Sequence, residues 1–228
     1  MIEMARPGLP DYIVDGDAKA NRCAGLRQRN KGRMTVSIEA LTGPRILSAI
    51  DELAALRIAV FAEWPYLYDG DDEYERDYLR EFVEAPHGIL VAARDGERIV
   101  GAATASPMWA QKAEFRAPFE ARGIDTQSLF YFGESVLLPE YRGQGIGHAF
   151  FDAREAQAMK CGARAATFAG VVRPDDHPAW PKDYRPLDAF WRKRGYAPVN
   201  GFVTQLAWKE HGEAEESPKP MQYWLRKF

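Results

Sequence analysis

The stretch that most constrains this chain is Leu137-Leu138-Pro139-Glu140-Tyr141-Arg142-Gly143-Gln144-Gly145-Ile146-Gly147. The apolar segment Leu129–Leu138 leads into it. Beyond it, Ile146, Phe150, Ala153, Ala156 and Met159 recur at helical spacing until Gly162 stops the run. A buried strand that passes through a glycine-rich loop straight into a helix turns several backbone N–H groups toward one point. The helix N-terminus adds about half a positive charge there, and Arg142 adds a permanent cation. A phosphate or pyrophosphate suits such a loop. It is not a P-loop, because Ile146-Gly147-His148 follows Gly145 where a Lys-Ser/Thr pair is required. Nor is it a dinucleotide fingerprint, because glycines at 143, 145 and 147 do not space as G-x-G-x-x-G.

Around this loop the hydrophobic period alternates between two and 3.6 residues. Thr35–Leu41 reads as a strand. Pro44 opens a helix in which Ile46, Ile50, Leu53, Leu56, Val60 and Phe61 recur until Pro65. Glu73–Glu84 is a second helix, and Ile89–Arg94 and Arg98–Ser106 form a hairpin about Asp95-Gly96-Glu97. A short helix is expected near Ala113–Arg122. Arg164–Val172 is a buried strand, Leu187–Arg194 a short amphipathic helix, and Phe202–Glu210 and Met221–Arg226 are the last strands. The fold class expected is α/β (α+β): a mixed, mostly antiparallel sheet of about six to seven strands, with helices on both faces. Residues 34–228 are expected to form one domain. Residues 1–33, with four glycines, two prolines and seven Lys/Arg, read as a flexible tail.

Composition narrows the partners. The net charge of -3 supplies no basic field to attract nucleic acid or anionic lipid. No apolar run approaches the roughly 20 residues needed to span a bilayer. Two cysteines and four scattered histidines offer neither a disulfide framework nor a metal site, so a reduced, cytoplasmic protein without a metal is expected. The strand Met221–Arg226 could lie at a sheet edge, so a monomer and a homodimer both stand.

The run Arg142-x-x-Gly145-x-Gly147 after an apolar strand ending at Pro139 resembles the acyl-CoA pyrophosphate motif of the GNAT superfamily of N-acyltransferases. Phe190-Trp191-Arg192-Lys193-Arg194-Gly195-Tyr196 resembles its second signature, and the element order from residue 34 to 228 is similar throughout. The resemblance implies acetyl-CoA as co-substrate. It implies that the backbone of Val136, Leu137 and Leu138 pairs with the pantetheine arm. The N–H groups of Arg142, Gly143, Gln144, Gly145, Ile146 and Gly147 would hold the pyrophosphate, with Phe190, Trp191 and Arg194 flanking the cofactor. Ordinary core packing is the alternative for Phe190 and Trp191.

Acyl transfer from a thioester needs a neutral amine, although a lysine-type amine has a pKa near 10.4. It also needs a donor for the developing oxyanion. Glu134 is the candidate base: a carboxylate in an apolar strand is costly unless it is paired or performs work. The alternatives are a structural carboxylate bound to a backbone N–H or to an arginine such as Arg173, and a bulge at Gly133 that turns it aside. The leaving thiolate lacks an evident acid, since Trp191 stands where a tyrosine is frequent. Tyr184, His177 and Tyr131 are substitutes. The segment Trp64-Pro65-Tyr66-Leu67-Tyr68-Asp69-Gly70-Asp71-Asp72-Glu73 is expected to border the acceptor, with the insert from Arg173 to Trp180 as a lid. The expected reaction is acetylation of a small primary amine. Acetylation of a protein and an inactive CoA-binding module are the other readings.

Overall fold

In the computed structural model the described residues are 36–228; the expected N-terminal tail lies outside them. Seven strands form one sheet in the order β1-β2-β3-β4-β5-β7-β6. They are β1 (Ser37–Leu41), β2 (Ile89–Asp95), β3 (Arg98–Pro107), β4 (Leu129–Leu137), β5 (Ala165–Val171), β6 (Ala197–Trp208) and β7 (Ser217–Lys227). Every neighbouring pair is antiparallel except β4 and β5. Helices α1 (Pro44–Leu47), α2 (Ile50–Phe61) and α3 (Asp72–Glu84) precede β2, and α4 (Ala113–Glu120) precedes β4. Helix α5 (Ile146–Lys160) follows β4, and α6 (Asp188–Lys193) follows β5.

The two-residue period of the central strands sorts their side chains between two layers. Leu90 and Ala92 pack with Leu53, Leu56 and Leu79 of α2 and α3. Val91 and Ala93 pack with Phe150, Phe151 and Ala158 of α5. Helices therefore cover both faces of the sheet.

Three boundaries and one position differ from the sequence expectation. Strand β7 begins at Ser217, four residues before Met221, and lies between β5 and β6, so it is not the sheet edge that Met221–Arg226 was expected to be; β6 is. The helix opened by Pro44 does not run unbroken to Phe61: it ends at Leu47 and restarts at Ile50. The Ser48 hydroxyl bonds the Arg45 carbonyl at 2.9 Å and Ala49 N–H turns back to Ile46 O at 3.1 Å, a tight turn that competes with the helical ladder. Strand β6 begins at Ala197, five residues before the expected Phe202. Ala197 and Pro198 pair with Leu225 and Trp224 ahead of an irregularity that ends at Val203.

Candidate active site

The parallel strands β4 and β5 pair over only three residues, Leu129–Tyr131 with Ala165–Thr167. Past Tyr131, β4 stays with β3 and β5 stays with β7, so a cleft opens between the two strands. Leu138 N–H donates to Val100 O at 3.0 Å. Antiparallel strands alternate their bonded sides. With Ala102 opposite Val136 and Gly101 opposite Leu137, the backbone groups of Val136 and Leu138 face β3. Those of Ser135 and Leu137 face the cleft. Only Leu137 of the three expected backbone residues therefore opens toward it, and the exposed Ser135 joins it.

At the mouth, a 3-10 turn at Pro139–Tyr141 carries the chain from β4 to α5. Tyr141 donates to Asp95 at 2.7 Å and anchors the turn. Gly143 and Gly145 have φ of 74° and 86°, a backbone that favours glycine, and among the described residues the N–H groups of Gly143 through His148 bond no carbonyl. Arg142 behaves otherwise: its N–H is committed to Pro139 O. Its guanidinium donates to Leu137 O at 3.1 Å and to Glu63 at 2.8 Å, so its charge is already paired.

Helix α6 borders the same end. The Phe190 ring reaches 3.4 Å from the point a Cβ on Gly147 would occupy, and it packs on His148 and Phe151. Trp191 lies on Gly170, with its ring centroid 5.0 Å from those of Phe168 and Trp224. Arg194 binds Asp152 at 2.7 Å and Glu155 at 2.6 Å, fixing α6 on α5.

Glu134 sits midway along the open stretch of β4. Ala105 pairs with Phe132 but Ala103 pairs with Ser135, so three steps on β4 face two on β3. This bulge changes the phase of the strand. Phe130 and Phe132 point to the α5 layer, while Val136 points to the α2 layer. Glu134 is turned the same way as Val136, with its side chain 7% exposed. Its Oε2 accepts from Tyr78 and Thr104 hydroxyls, each at 2.9 Å. Arg57 Nη1 lies 2.5 Å from Oε1, as an ion pair out of line for a hydrogen bond. The same guanidinium donates through Nε to Glu75 and lies over the Tyr78 ring at 4.1 Å. One buried cation thus faces two buried carboxylates. Burial, then the Glu134 charge, raises the Tyr78 phenol well above its ordinary range, so it stays a neutral donor. Gly133 is required, since a Cβ there would collide with Thr104 Oγ1.

Arg173 is not the partner of Glu134. It donates to Pro65 O at 2.7 Å, Tyr66 O at 3.2 Å and Glu210 at 2.6 Å, and so ties the insert after β5 to the segment after α2. In that insert His177, Trp180 and Tyr184 surround Trp64, with centroid separations of 4.8, 5.3 and 6.0 Å. Burial raises the phenols of Tyr184 and Tyr131, and pushes Tyr66 up to about 12. His177 accepts the Ala179 N–H at 3.1 Å. Sequence reasoning missed Arg57, Glu75, Tyr78, Thr104, Ser135 and Arg154. Arg57 alone left a trace, as a charge among the apolar positions of α2.

Among the described residues no group of three or more His, Cys, Asp or Glu could hold a metal ion, and no helix is long and apolar enough to cross a membrane. The sequence pattern of the Acetyltransferase (GNAT) family matches residues 55–196. No curated protein sequence matches the chain significantly. Similar solved structures include an aminoglycoside 6'-N-acetyltransferase complexed with coenzyme A, with 18% identity over 79% of this chain and 91% of that one, and a TM-score of 0.51. A ribosomal-protein-alanine N-acetyltransferase from Brucella melitensis has 13% identity over 84% and 99%, with a TM-score of 0.55. A Salmonella typhimurium protein solved with its cofactor acetyl-CoA has 10% identity over 85% and 94%, with a TM-score of 0.53. At these identities the likeness is one of fold.

Proposed function

Because the chain belongs to the GNAT acetyltransferase family, we propose that it moves an acetyl group from acetyl-CoA to a primary amine of a small molecule, with Glu134 receiving the amine proton. The cleft suits the co-substrate on one observation above all: at its mouth, from Gly143 to His148, stand backbone amides that no carbonyl of the described residues satisfies. They would hold the pyrophosphate. The Leu137 backbone would pair with the pantetheine arm, whose chemistry is to present an activated thioester. Phe190 and Trp191 form the side wall, and Arg194 keeps their helix in position.

In this reading the Ser135 N–H is the donor for the thioester oxygen as charge develops there. Attack forms the N–C bond and breaks the C–S bond. The amine proton passes to Glu134, and solvent protonates the departing thiolate. A small acceptor is favoured over a protein because the segment after α2, expected to border the acceptor, is closed against the insert after β5 by the packing of Trp64 on Trp180 and Tyr184.

The test is release of free CoA thiol from acetyl-CoA against pools of polyamines, amino acids, amino-sugars and lysine peptides. Turnover with a small-amine pool is the expected result. Turnover with lysine peptides alone would replace the small acceptor by a protein. Binding of acetyl-CoA without turnover on any pool would contradict the reading.

A further inference from the structure

Arg154 on α5 is 1% exposed and lies against β4 on the opposite side from Arg57. Its guanidinium stands over the Phe132 and Phe151 rings at 4.5 and 4.8 Å. No carboxylate contacts it among the described residues. The adjacent Glu155 is taken by Arg194, Arg226 and Tyr196 instead. Burial pushes Arg154 down to about 10, which leaves it a cation at neutral pH. A buried cation with no carboxylate in contact is among the costliest groups a core can hold, so its contacts are informative.

Those contacts converge on the β4 bulge. Nη1 donates to Glu134 O at 3.3 Å and to Thr104 O at 3.4 Å, and Nε donates to Phe150 O at 3.2 Å. Thr104 is the β3 residue skipped between the pairs that flank the bulge. Its hydroxyl holds the Glu134 carboxylate on the far face and also accepts the Glu134 N–H at 3.3 Å. A bulge leaves backbone groups out of the ladder, and one side chain here collects two carbonyls at that place. Among the described residues Nη2 is buried with no hydrogen-bond partner.

We propose that Arg154 is a positioning residue for acetyl transfer: by bridging the carbonyls of Thr104 and Glu134 it fixes the bulge that turns Glu134 toward α2 and α3 and aims the Ser135 N–H into the cleft. The proposal rests on the acetyl-CoA reading given above. Arg154 acts through the strand and touches neither the amine nor the thioester. Its charge lies beneath the bonds that must change least during the reaction, and a strand held at that point keeps its N–H aligned as the carbonyl becomes tetrahedral.

The experiment is infrared difference spectroscopy of acetyl-CoA labelled with 13C at the carbonyl, bound to wild type, Arg154→Met and Arg154→Lys, with affinity measured by calorimetry on the same samples. Lysine keeps the cation, but its ammonium ends one bond short of the Nη1 position from which both carbonyls are reached, and it decides the question if the methionine variant does not fold. Wild type should bind and lower the carbonyl stretch. In both variants affinity should stay within about threefold, at least half of the stretch shift should vanish, and CoA release should fall at least about tenfold. A folded variant that keeps the full shift overturns the proposal. So does one that loses the shift only together with acetyl-CoA binding, since that is the mark of general structural damage. Failure of wild type to bind acetyl-CoA would instead overturn the reading of the cleft.

Discussion

Arg57 and Glu134, 77 residues apart in sequence, meet with Nη1 and Oε1 at 2.5 Å, and the same guanidinium also binds Glu75. The pair joins α2 to the bulged strand of the cleft, so the candidate base is held by the helical layer of α2 and α3. Removing Arg57 would strand two buried carboxylates. Arg57→Met should cost about 3–5 kcal/mol in urea unfolding, and the double variant Arg57→Met with Glu75→Gln should recover part of that loss.

Tyr78 supplies one of two hydroxyl bonds to Glu134. Tyr78→Phe keeps the ring that stacks beneath Arg57 and deletes only that bond. Stability should fall by about 1 kcal/mol, and turnover should fall with it while the KM for acetyl-CoA holds. An unchanged kcat would separate Tyr78 from the reaction.

Gly133 leaves no room for a Cβ beside Thr104 and the Phe82 ring. Gly133→Ala should therefore push Thr104 off the carboxylate, lower stability by about 1–3 kcal/mol and reduce turnover. The check is thermal unfolding alongside thiol release.

The loop between β4 and α5 should bind through amides rather than through the arginine side chain. Arg142 is already paired with Glu63 on the surface, a contact worth about 0–1 kcal/mol. Arg142→Ala should raise the acetyl-CoA dissociation constant less than about threefold, whereas Gly145→Val, at φ of 86°, should raise it about tenfold or more. Calorimetric titration distinguishes the two.

Acid stability carries a further signature. The Ser217 hydroxyl, the Glu210 N–H and Lys219 hold the Glu213 carboxyl down to about 2. A depressed carboxyl stabilises the fold above its unfolded pKa, about 4.3 for glutamate. That contribution is lost as pH falls from there through about 2. Glu213→Gln should flatten the acid limb of the unfolding curve between those values.

The strand, loop and helix from Leu129 to Lys160 were legible in the sequence because local rules govern each part: apolar run, left-handed glycines, helical period. Glu134 was legible as a carboxylate out of place. Its orientation was not, because the phase of β4 depends on a two-against-three match with a strand that ends 22 residues earlier. The arginine beside it could not be chosen from sequence either: Arg173 and Arg57 look alike as residues, and only packing of α2 against the sheet selects Arg57. The phase that gives Ser135 and Leu137 to the cleft, and Val136 and Leu138 to β3, is settled by the same bulge. Arg154 left no sign at all, since its partners are carbonyls.

The most direct test compares the two carboxylates that share Arg57. Glu134→Gln and Glu75→Gln perturb the same buried ion cluster, but only Glu134 stands on the strand that borders the cleft. Thiol release from acetyl-CoA with the selected amine, measured from pH 6 to 9, should fall about a hundredfold or more at neutral pH in Glu134→Gln and recover partly toward pH 9, as expected when a general base is lost. Glu75→Gln should stay within about threefold of wild type. Equal losses in the two variants, or a Glu134→Gln enzyme that turns over like wild type at pH 7, would contradict the assignment of Glu134 as the proton acceptor.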